Sequence, residues 1–462
     1  MTQMLDSQSV DALEAKLHGD VTRPGDAQYD EVRALYNGMI DKRPALIARC
    51  ADVDDVVAAV GFGRENGLDI AIRCGSHNGG GLGSVDDGLM IDLSGLKQIE
   101  VDAEGRSVTI GGGCLLSEVD AATHEHGLAT PAGIISTTGA GGLMLGGGVG
   151  NLTRAYGLSI DNILGAELVL ADGSVVNADE TENPDLYWAI RGGGGNFGVA
   201  TKIRSRLHPV ENVFCGPMFW PLDRAADVLR WYREFIIAAP EQLNGWFAFL
   251  SVPPAPLFPE ELHLQKVAAI VWCWCGPLDG ADDALAEARS QEGILLDGTH
   301  EAPFPALQSA FDAIYPPGDQ WYWRGDFIEE IPDEAIEKHL EFAETMPTWK
   351  SSMHMYPSNG AAHRVGPTET PWAFRRANWA SVTFGCDPDP ANAEALRDWA
   401  IAYQEALHPY SAGGTYLNFV MDEGQERVKA SYGQNYDRLA KVKAEYDPGN
   451  LFHVNQNIRP AA

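Results

Sequence analysis

The chain has 462 residues and carries 65 acidic side chains against 33 Lys and Arg, which gives a formal charge of −32 at pH 7. This charge repels phosphate backbones and anionic membrane surfaces, so we expect neither nucleic acid nor a membrane as a partner. The length exceeds one ordinary hydrophobic core and predicts two or three domains, and a hydrophobic fraction of 45% is that of a globular protein.

The cysteines and the first residues of the chain indicate the cellular compartment in which the protein works. The seven cysteines form no CxxC pair, and the "WCWC" stretch puts Cys273 and Cys275 on one face of a strand, in poor geometry for a disulfide. The first twenty residues contain no apolar signal core, and no stretch approaches the roughly twenty apolar residues that a spanning helix needs. We therefore expect reduced thiols and a cytoplasmic protein.

From residue 44 to about 207, short apolar runs alternate with segments typical of helices. The runs that predict strands are "ALIARC", "DIAIRC", "GLMIDL", "SVTIGGG", "AELVLADGSVV" and "GVATKIRSRLHPV". Two segments, "DVDDVVAAVGFGRENGL" and "LLSEVDAATHEHGL", end in a helix-terminating glycine and predict helices. His124 and His126 in the second segment do not fit the HExxH pattern, so we expect no metal site there.

Residues 210 to about 420 show a different pattern, and we place a domain boundary near "RLHPVENVFCGP", where the glycine density drops. Amphipathic segments such as "PANAEALRDWAIAYQEALHP" alternate with aromatic runs such as "GWFAFLSV" and "KVAAIVWCWCG". This pattern predicts helices lying on an antiparallel sheet. We expect most of the tryptophans to pack between helices and sheet, and some to line a pocket at a domain junction.

Three glycine clusters stand in the first region, at residues 71–83, 136–151 and 191–201. None has the Lys-Ser or Lys-Thr of a P-loop, and none makes a convincing Rossmann fingerprint. Glycine lets backbone approach a ligand closely, and free backbone amides bind phosphate. Each cluster alone could be a tight turn between strands, but the three together favour a dinucleotide held lengthwise.

The chain resembles a known family in the segments "RPALIARC", "IRCGSHN", "GLATPAGIISTTGAGGLMLGGGVGNLTRAYGLSIDNIL", "ENPDLYWAIRGGGGNFGVAT", "YLNF" and "YDPGNLFHVNQNI". These are similar to the berberine bridge enzyme-like FAD-linked oxidoreductases, within the vanillyl-alcohol oxidase (PCMH-type) superfamily. The resemblance implies an α+β fold with a PCMH-type FAD-binding domain at residues 1–209, completed by 420–462. It also implies a substrate-binding domain at 210–419, in which helices cover an antiparallel sheet.

The resemblance implies FAD bound covalently through His77. The other cofactor-binding residues that it implies are Arg73, Cys74, Gly75, Ser76, Asn78, Thr137, Thr138, Gly141, Gly142, Gly148, Asn151, Val199, Asn455 and Gln456. Ser76 departs from the family loop, which has glycine at that position. Many relatives have a second tether, a cysteine, where this chain has Ile135, so we expect a single covalent bond.

For catalysis, the family's Y-x-N strand is matched by Tyr416 and Asn418, and Tyr416 is the candidate for proton acceptor or substrate orienter. A packing role for a strand tyrosine remains the alternative. Several plant relatives carry an acidic base where this chain has Val382, which favours simple alcohol or amine oxidation over ring-forming chemistry. Arg375 and Arg376 could attract an acidic substrate or form a solvated strand end, and Thr138, beside the reactive flavin edge, favours an oxidase.

The function implied is oxidation of an alcohol, sugar, amine or secondary metabolite by covalently bound FAD, with O2 as acceptor and H2O2 as product. A dehydrogenase with another acceptor is one alternative, and a catalytically silent flavin- or ligand-binding protein is another. A third alternative, a nicotinamide-dependent dehydrogenase, predicts a colourless protein, whereas a flavoprotein is yellow. The expected partners are a small-molecule substrate and O2.

Overall fold

The computed structural model describes residues 5–462, and its first half builds one small parallel sheet around three buried strands. Strands β2, β3 and β4 are apolar along nearly their whole length, as is typical of strands that are covered on both faces. Strand β4 pairs in parallel with β2 and β3, and β1 adds antiparallel to β2. The crossover between β2 and β3 runs through α3. The strands are β1 Asp20–Thr22, β2 Leu46–Arg49, β3 Ile70–Arg73 and β4 Leu89–Asp92, and the helices are α1 Ser7–Glu14, α2 Tyr29–Val32 and α3 Val53–Glu65.

A second sheet of five antiparallel strands follows, in the order β5-β6-β10-β8-β9. Its long strand β10 alternates buried and exposed residues from Thr201 to Arg206, because one face packs on the core and the other meets water. The strands of this sheet are β5 Ile99–Asp102, β6 Ser107–Gly111, β8 Ile163–Val169, β9 Val175–Ala178 and β10 Val199–Arg206. Two short strands outside it are β7 Leu128–Ala129 and β11 His208–Pro209. The helices are α4 Leu116–His124, α5 Ala140–Gly146, α6 Thr153–Tyr156, α7 Ser159–Asn162 and α8 Pro184–Ile190. Strands β7 and β11 pair with each other.

The middle of the chain forms one antiparallel eight-stranded sheet, with the order β15-β12-β14-β13-β18-β19-β17 and β16 paired to β12. The strands are β12 Asn212–Pro221, β13 Leu243–Ser251, β14 Lys266–Trp274, β15 Leu296–Asp297, β16 His300–Pro303, β17 Gln320–Ile328, β18 Ser352–Pro357 and β19 Trp379–Asp387. The helices are α9 Ala225–Ala238, α10 Ala281–Arg289, α11 Phe304–Gln308, α12 Asp333–Glu344 and α13 Ala393–Leu407. The predicted arrangement of helices on an antiparallel sheet is confirmed.

The two faces of this sheet have different neighbours. In β13, Phe247 and Phe249 pack with the helices, whereas Trp246 and Ala248 belong to the core cluster shared with the first half of the chain. The period of two residues along a strand produces this separation. One face of the sheet is therefore sealed by helices, and the other is turned toward the glycine-rich segments.

The carboxyl-terminal residues return to the first half of the chain through α14 Gln425–Tyr432 and α15 Tyr436–Tyr446. Lys443 and Asp447 are completely buried and lie 2.6 Å apart, and the Lys443 ammonium also donates to the carbonyl oxygens of Asn196 and Phe452. Asp447 in turn accepts the backbone N–H of Phe452. This ion pair holds the last residues against the third glycine cluster. No helix within residues 5–462 is both long and apolar enough to cross a bilayer.

We predict that Asp447→Ala lowers the free energy of unfolding by about 3–5 kcal/mol, because it leaves the buried Lys443 ammonium without its counter-charge. Burial already lowers the pKa of Lys443. Urea unfolding followed by tryptophan fluorescence measures the change. The control is Glu426→Ala, which removes an exposed partner of Lys429 and costs less than about 1 kcal/mol. Equal losses in the two variants would contradict the role of the buried pair.

Candidate functional site

A cavity of about 380 Å³ lies between the glycine-rich segments and the inner face of the eight-stranded sheet. Its volume falls in the range of small-molecule and cofactor sites. One wall is nearly bare backbone, formed by Gly75, Gly139, Gly141, Gly142 and Gly192 to Gly195. The opposite wall is aromatic and is formed by Phe311, Tyr315, Trp321, Trp323, Tyr356, Phe384 and Phe419. Three glycine clusters that are far apart in sequence thus meet at one cavity.

The first two glycine clusters touch through their backbones. A Cβ atom at Gly75 would lie 2.2 Å from the backbone nitrogen of Gly139, and a Cβ at Gly139 would lie 2.3 Å from that of Gly75. Real Cβ atoms do not approach so closely, so both positions require glycine. This contact fixes the loop of residues 74–78 against the start of α5.

Other glycines leave open space at the cavity wall. A Cβ at Gly142, Gly194 or Gly195 would meet no protein atom within 4 Å, and all three residues line the cavity. A side chain there would project into the cavity, and its absence leaves room for a large ligand to lie against the backbone. The bare wall therefore fits a dinucleotide cofactor.

His77 lies where the two loops meet, with its ring facing the cavity. The ring stacks on Tyr36 with centroids 3.8 Å apart, and its Nε2 and Nδ1 atoms lie 3.0 and 3.4 Å from the hydroxyl oxygens of Thr137 and Thr138. Burial lowers the pKa of His77 to about 4, so the ring is neutral at pH 7. The preceding residue, Ser76, has a φ of 57°, a conformation that favours glycine. The substitution of Ser for the family's glycine is thus accommodated at the cost of backbone strain.

Tyr416 and Asn418 also line the cavity, but they do not lie in a strand as the sequence predicted. Residues Leu417–Phe419 form a 3-10 turn that lies close to α5, where a Cβ at Gly146 would lie 2.3 Å from the Asn418 side chain. The Tyr416 hydroxyl accepts hydrogen bonds from the Gly148 N–H (2.9 Å) and the Asn418 amide (2.6 Å). Burial nevertheless raises the pKa of Tyr416 to about 12.

The structure brings most of the sequence-predicted residues to the cavity. Those that line it are Arg73, Cys74, Gly75, Ser76, His77, Asn78, Thr138, Gly141, Gly142, Val199, Tyr416, Asn418, Asn455 and Gln456. Thr137 lies behind His77. Gly148 and Asn151 stand outside the wall, where Gly148 donates to Tyr416 and the buried Asn151 amide donates to Gln308 at 2.8 Å. The Arg73 guanidinium is already paired with Asp92 at 2.5 Å.

Neither interpretation of Arg375 was right. Its side chain is buried and forms two hydrogen bonds with the carboxylate of Asp161, at 2.7 and 2.8 Å, and another with Thr370. It joins the middle of the chain to α7 and is neither solvated nor at the cavity, whereas Arg376 is exposed. Val382 does face the cavity, and no carboxylate side chain is among the described residues that line it.

Two polar residues of the cavity wall escaped the sequence analysis, His354 and Tyr356 in β18. Nδ1 of His354 lies 2.6 Å from the Tyr356 hydroxyl oxygen. In "SMHMYP", the two methionines pack under the helices, and His354 and Tyr356 take the opposite face. This alternation was the available signal, because a polar residue between two buried methionines points to the other side of the sheet.

Comparison with known proteins agrees with this geometry. Residues 44–179 match the model of an FAD binding domain, and residues 415–459 match the berberine and berberine-like model. An FAD-linked oxidoreductase of Dictyostelium discoideum is 30% identical over 457 residues, which cover 98% of this chain and 97% of the relative. The chain belongs to the berberine bridge enzyme-like FAD-linked oxidoreductases. The resemblance seen in the sequence and the α+β, PCMH-type fold are thereby confirmed.

Two further relatives span nearly the whole chain. The (R)-6-hydroxynicotine oxidase of Paenarthrobacter nicotinovorans is 30% identical over 471 residues, covering 97% of this chain and 98% of that protein. The crystal structure of 6-hydroxy-D-nicotine oxidase from Arthrobacter nicotinovorans superposes with a TM-score of 0.86 at 27% identity, over 96% of this oxidoreductase and 98% of that chain. Xylooligosaccharide oxidase from Myceliophthora thermophila has the same fold, with a TM-score of 0.85 at 23% identity, over 98% and 100% of the two chains.

We predict opposite effects for alanine at two glycines of this oxidoreductase. Gly139→Ala forces a methyl group onto the Gly75 backbone and lowers the free energy of unfolding by about 1–3 kcal/mol or more. Gly142→Ala removes a glycine from α5, so it leaves the flavin-free protein as stable or more stable by up to about 1 kcal/mol. Its methyl group enters the cavity and reduces the flavin content of the purified protein.

Thermal unfolding of flavin-free protein and the ratio of visible to ultraviolet absorbance measure the two effects. Full flavin content in Gly142→Ala together with unchanged stability in Gly139→Ala would contradict the assignment of the bare wall.

Proposed function

We propose that this protein is an oxidase that takes a hydride from a small neutral alcohol and transfers the electrons through FAD to O2, producing H2O2. The main support for this proposal is one continuous cavity, which joins the bare wall to an aromatic chamber within reach of His77. The oxidases among its relatives support the use of O2. We infer from its seven free cysteines that it works in a reducing compartment such as the cytoplasm.

The aromatic chamber favours some substrate classes over others. Aromatic side chains stack on flat rings and exclude water. Because none of the described lining residues is a carboxylate, a cationic amine would gain no ion pair there. Few polar side chains face the chamber, so a sugar with many hydroxyl groups would leave several of them without partners. A ring-bearing secondary metabolite with one reactive alcohol fits best.

We propose that different segments of the chain bind the cofactor and the substrate. Residues 1–209 and 420–462 hold the cofactor, and residues 210–419 form the substrate chamber. FAD, when bound, accepts the hydride and later passes two electrons to O2. Tyr416 and Asn418 act as a positioning pair, because the hydroxyl of Tyr416 already accepts two hydrogen bonds and its raised pKa keeps it protonated at neutral pH, so no phenolate is available to accept a proton.

We further propose that FAD is attached covalently, by one bond from His77. The neutral ring has an unprotonated nitrogen that can act as a nucleophile, and Tyr36 stacking and the two threonine hydroxyls fix its orientation. Ile135 lines the cavity where a second tether would stand, and it has no nucleophilic atom. Thr138 leaves space beside the reactive edge of the ring, which favours access of O2. The remaining lining residues of the bare wall hold the cofactor through backbone and amide groups.

Acid precipitation tests the covalent bond. We expect the precipitated wild-type protein to stay yellow and the precipitated His77→Ala variant to be white, with any flavin in the supernatant. Cys74→Ser is the matched control, because Cys74 is the thiol nearest to His77 in sequence and also lines the cavity. A white wild-type precipitate, or a white precipitate only in Cys74→Ser, would contradict the assignment to His77.

Anaerobic mixing tests the reaction. The yellow protein is mixed with neutral aromatic alcohols, oligosaccharides and cationic amines, and the flavin absorbance is followed. We expect bleaching to be fastest with the ring-bearing alcohols and expect air to restore the colour with one H2O2 per turnover. Recovery only with an added dye would indicate a dehydrogenase. No bleaching by any member of a broad panel would indicate a binding protein and would contradict the proposed oxidation.

A further inference from the structure

The eight-stranded sheet presents one histidine to the aromatic chamber, His354. The ring lies between Trp246, with centroids 4.7 Å apart, and the edge of Phe384, at 4.9 Å. The hydrogen bond between Nδ1 and Tyr356 fixes the remaining rotation. The imidazole is therefore held in one orientation before any substrate binds, which is what a group acting on a reacting atom requires.

The second nitrogen of His354 is free. No described residue bonds Nε2, and this atom is not among the buried polar atoms without partners. Since His354 lines the cavity, Nε2 is left to a cavity ligand. A second histidine, His339 in α12, makes the same kind of hydrogen bond, between Nδ1 and the Tyr403 hydroxyl at 2.8 Å. Its Nε2, in contrast, is buried without a partner and lies away from the cavity.

His354 lies across the chamber from the flavin-binding loops. A chain of neighbouring rings leads from His77 through Tyr36 and Trp321 to Phe384 and His354, with centroid separations of 3.8, 5.8, 5.4 and 4.9 Å. On the other side, Tyr356 neighbours Phe419, which packs on Tyr416. His354, His77 and Tyr416 therefore line the same cavity and are connected through two sets of packed rings.

Other proton acceptors at the chamber are poorly suited. No described lining residue is a carboxylate, the His77 nitrogens face Thr137 and Thr138, and the Tyr416 oxygen already accepts two hydrogen bonds. Burial lowers the pKa of His354 to about 3, so its ring is neutral at working pH. The hydroxyl becomes strongly acidic as hydride leaves the carbon that carries it, so a neutral imidazole nitrogen can accept its proton even though the ground-state pKa of His354 is lowered.

We propose that His354 is the proton acceptor of the reaction and that Tyr356 is its positioning residue, an inference that rests on the proposed alcohol oxidation. The substrate O–H bond breaks and its proton forms a bond with Nε2, while the C–H bond breaks and its hydride, with both electrons, passes to oxidised FAD. The alcohol becomes a carbonyl compound, FAD becomes reduced, and His354 later returns its proton to water. This requires Nδ1–H to donate to Tyr356, leaving Nε2 as an acceptor.

The first test compares His354→Gln with His339→Gln in the flavin-loaded enzyme, using the alcohol that bleaches the flavin fastest in the anaerobic panel. We expect kcat for flavin reduction to fall by about 100-fold or more in His354→Gln, with KM little changed, and to stay within about threefold in His339→Gln. In His354→Ala, added imidazole should restore part of the lost rate. A folded, flavin-loaded His354→Gln that keeps kcat within about threefold of wild type would overturn the proposal.

The second test needs no substrate. Nuclear magnetic resonance of the flavin-loaded protein carrying 15N-labelled histidine reports which nitrogen of His354 is protonated, with the signals assigned by their loss in His354→Gln or their shift in Tyr356→Phe. We expect an unprotonated Nε2 in the wild type, and in Tyr356→Phe both a mixture of tautomers and a kcat lowered by about tenfold. A protonated Nε2 in the resting enzyme would overturn the proposal even if no panel alcohol reacts. An unprotonated Nε2 together with no flavin bleaching by any alcohol of the panel would contradict the proposed alcohol oxidation and not the tautomer that we infer for His354.

Discussion

The site depends on a contact between two stretches of backbone. Gly75 and Gly139 approach so closely that neither can carry a side chain, and this contact sets the loop of His77 against the start of α5. The third cluster comes to the same wall because the buried Lys443 ammonium ties the carbonyl of Asn196 to the carboxyl-terminal segment. Three segments, near residues 75, 140 and 194, thus form one continuous surface that is nearly without side chains. The volume that side chains would occupy is left for the cofactor.

The two walls of the cavity bind by different physical means. The bare wall offers backbone to a ligand, whereas the opposite wall offers aromatic rings and only a few polar atoms. The eight-stranded sheet makes this possible, because its other face is sealed by α9, α10, α12 and α13 and every second residue is free to face the chamber. Although the chain carries a charge of −32, no carboxylate is found among the described lining residues, so its acidity lies elsewhere and will repel anionic substrates.

Much of this site could be predicted from the sequence, since glycine clusters and a loop histidine are local patterns. Predictions that depended on contacts between residues distant in sequence were less accurate. The Y-x-N segment was expected as a strand, but it forms a 3-10 turn packed against Gly146 of α5. Arg375 was expected to attract a substrate or to be solvated, but it is buried and paired with Asp161, which lies more than two hundred residues earlier. His354 was missed for a related reason. Its strand position was readable, but its neighbours Trp246 and Phe384 come from other strands, and only the fold shows that its Nε2 is left free.

We propose that FAD lies along the bare backbone wall with its ring between His77 and Tyr416. A crystal structure of the yellow protein tests it most directly. We expect density for the pyrophosphate and ribose against Gly142, Gly194 and Gly195, and density continuous from the His77 ring into the flavin. A flavin bound elsewhere, or one in this cavity whose ring faces away from His77 and the aromatic chamber, would contradict it.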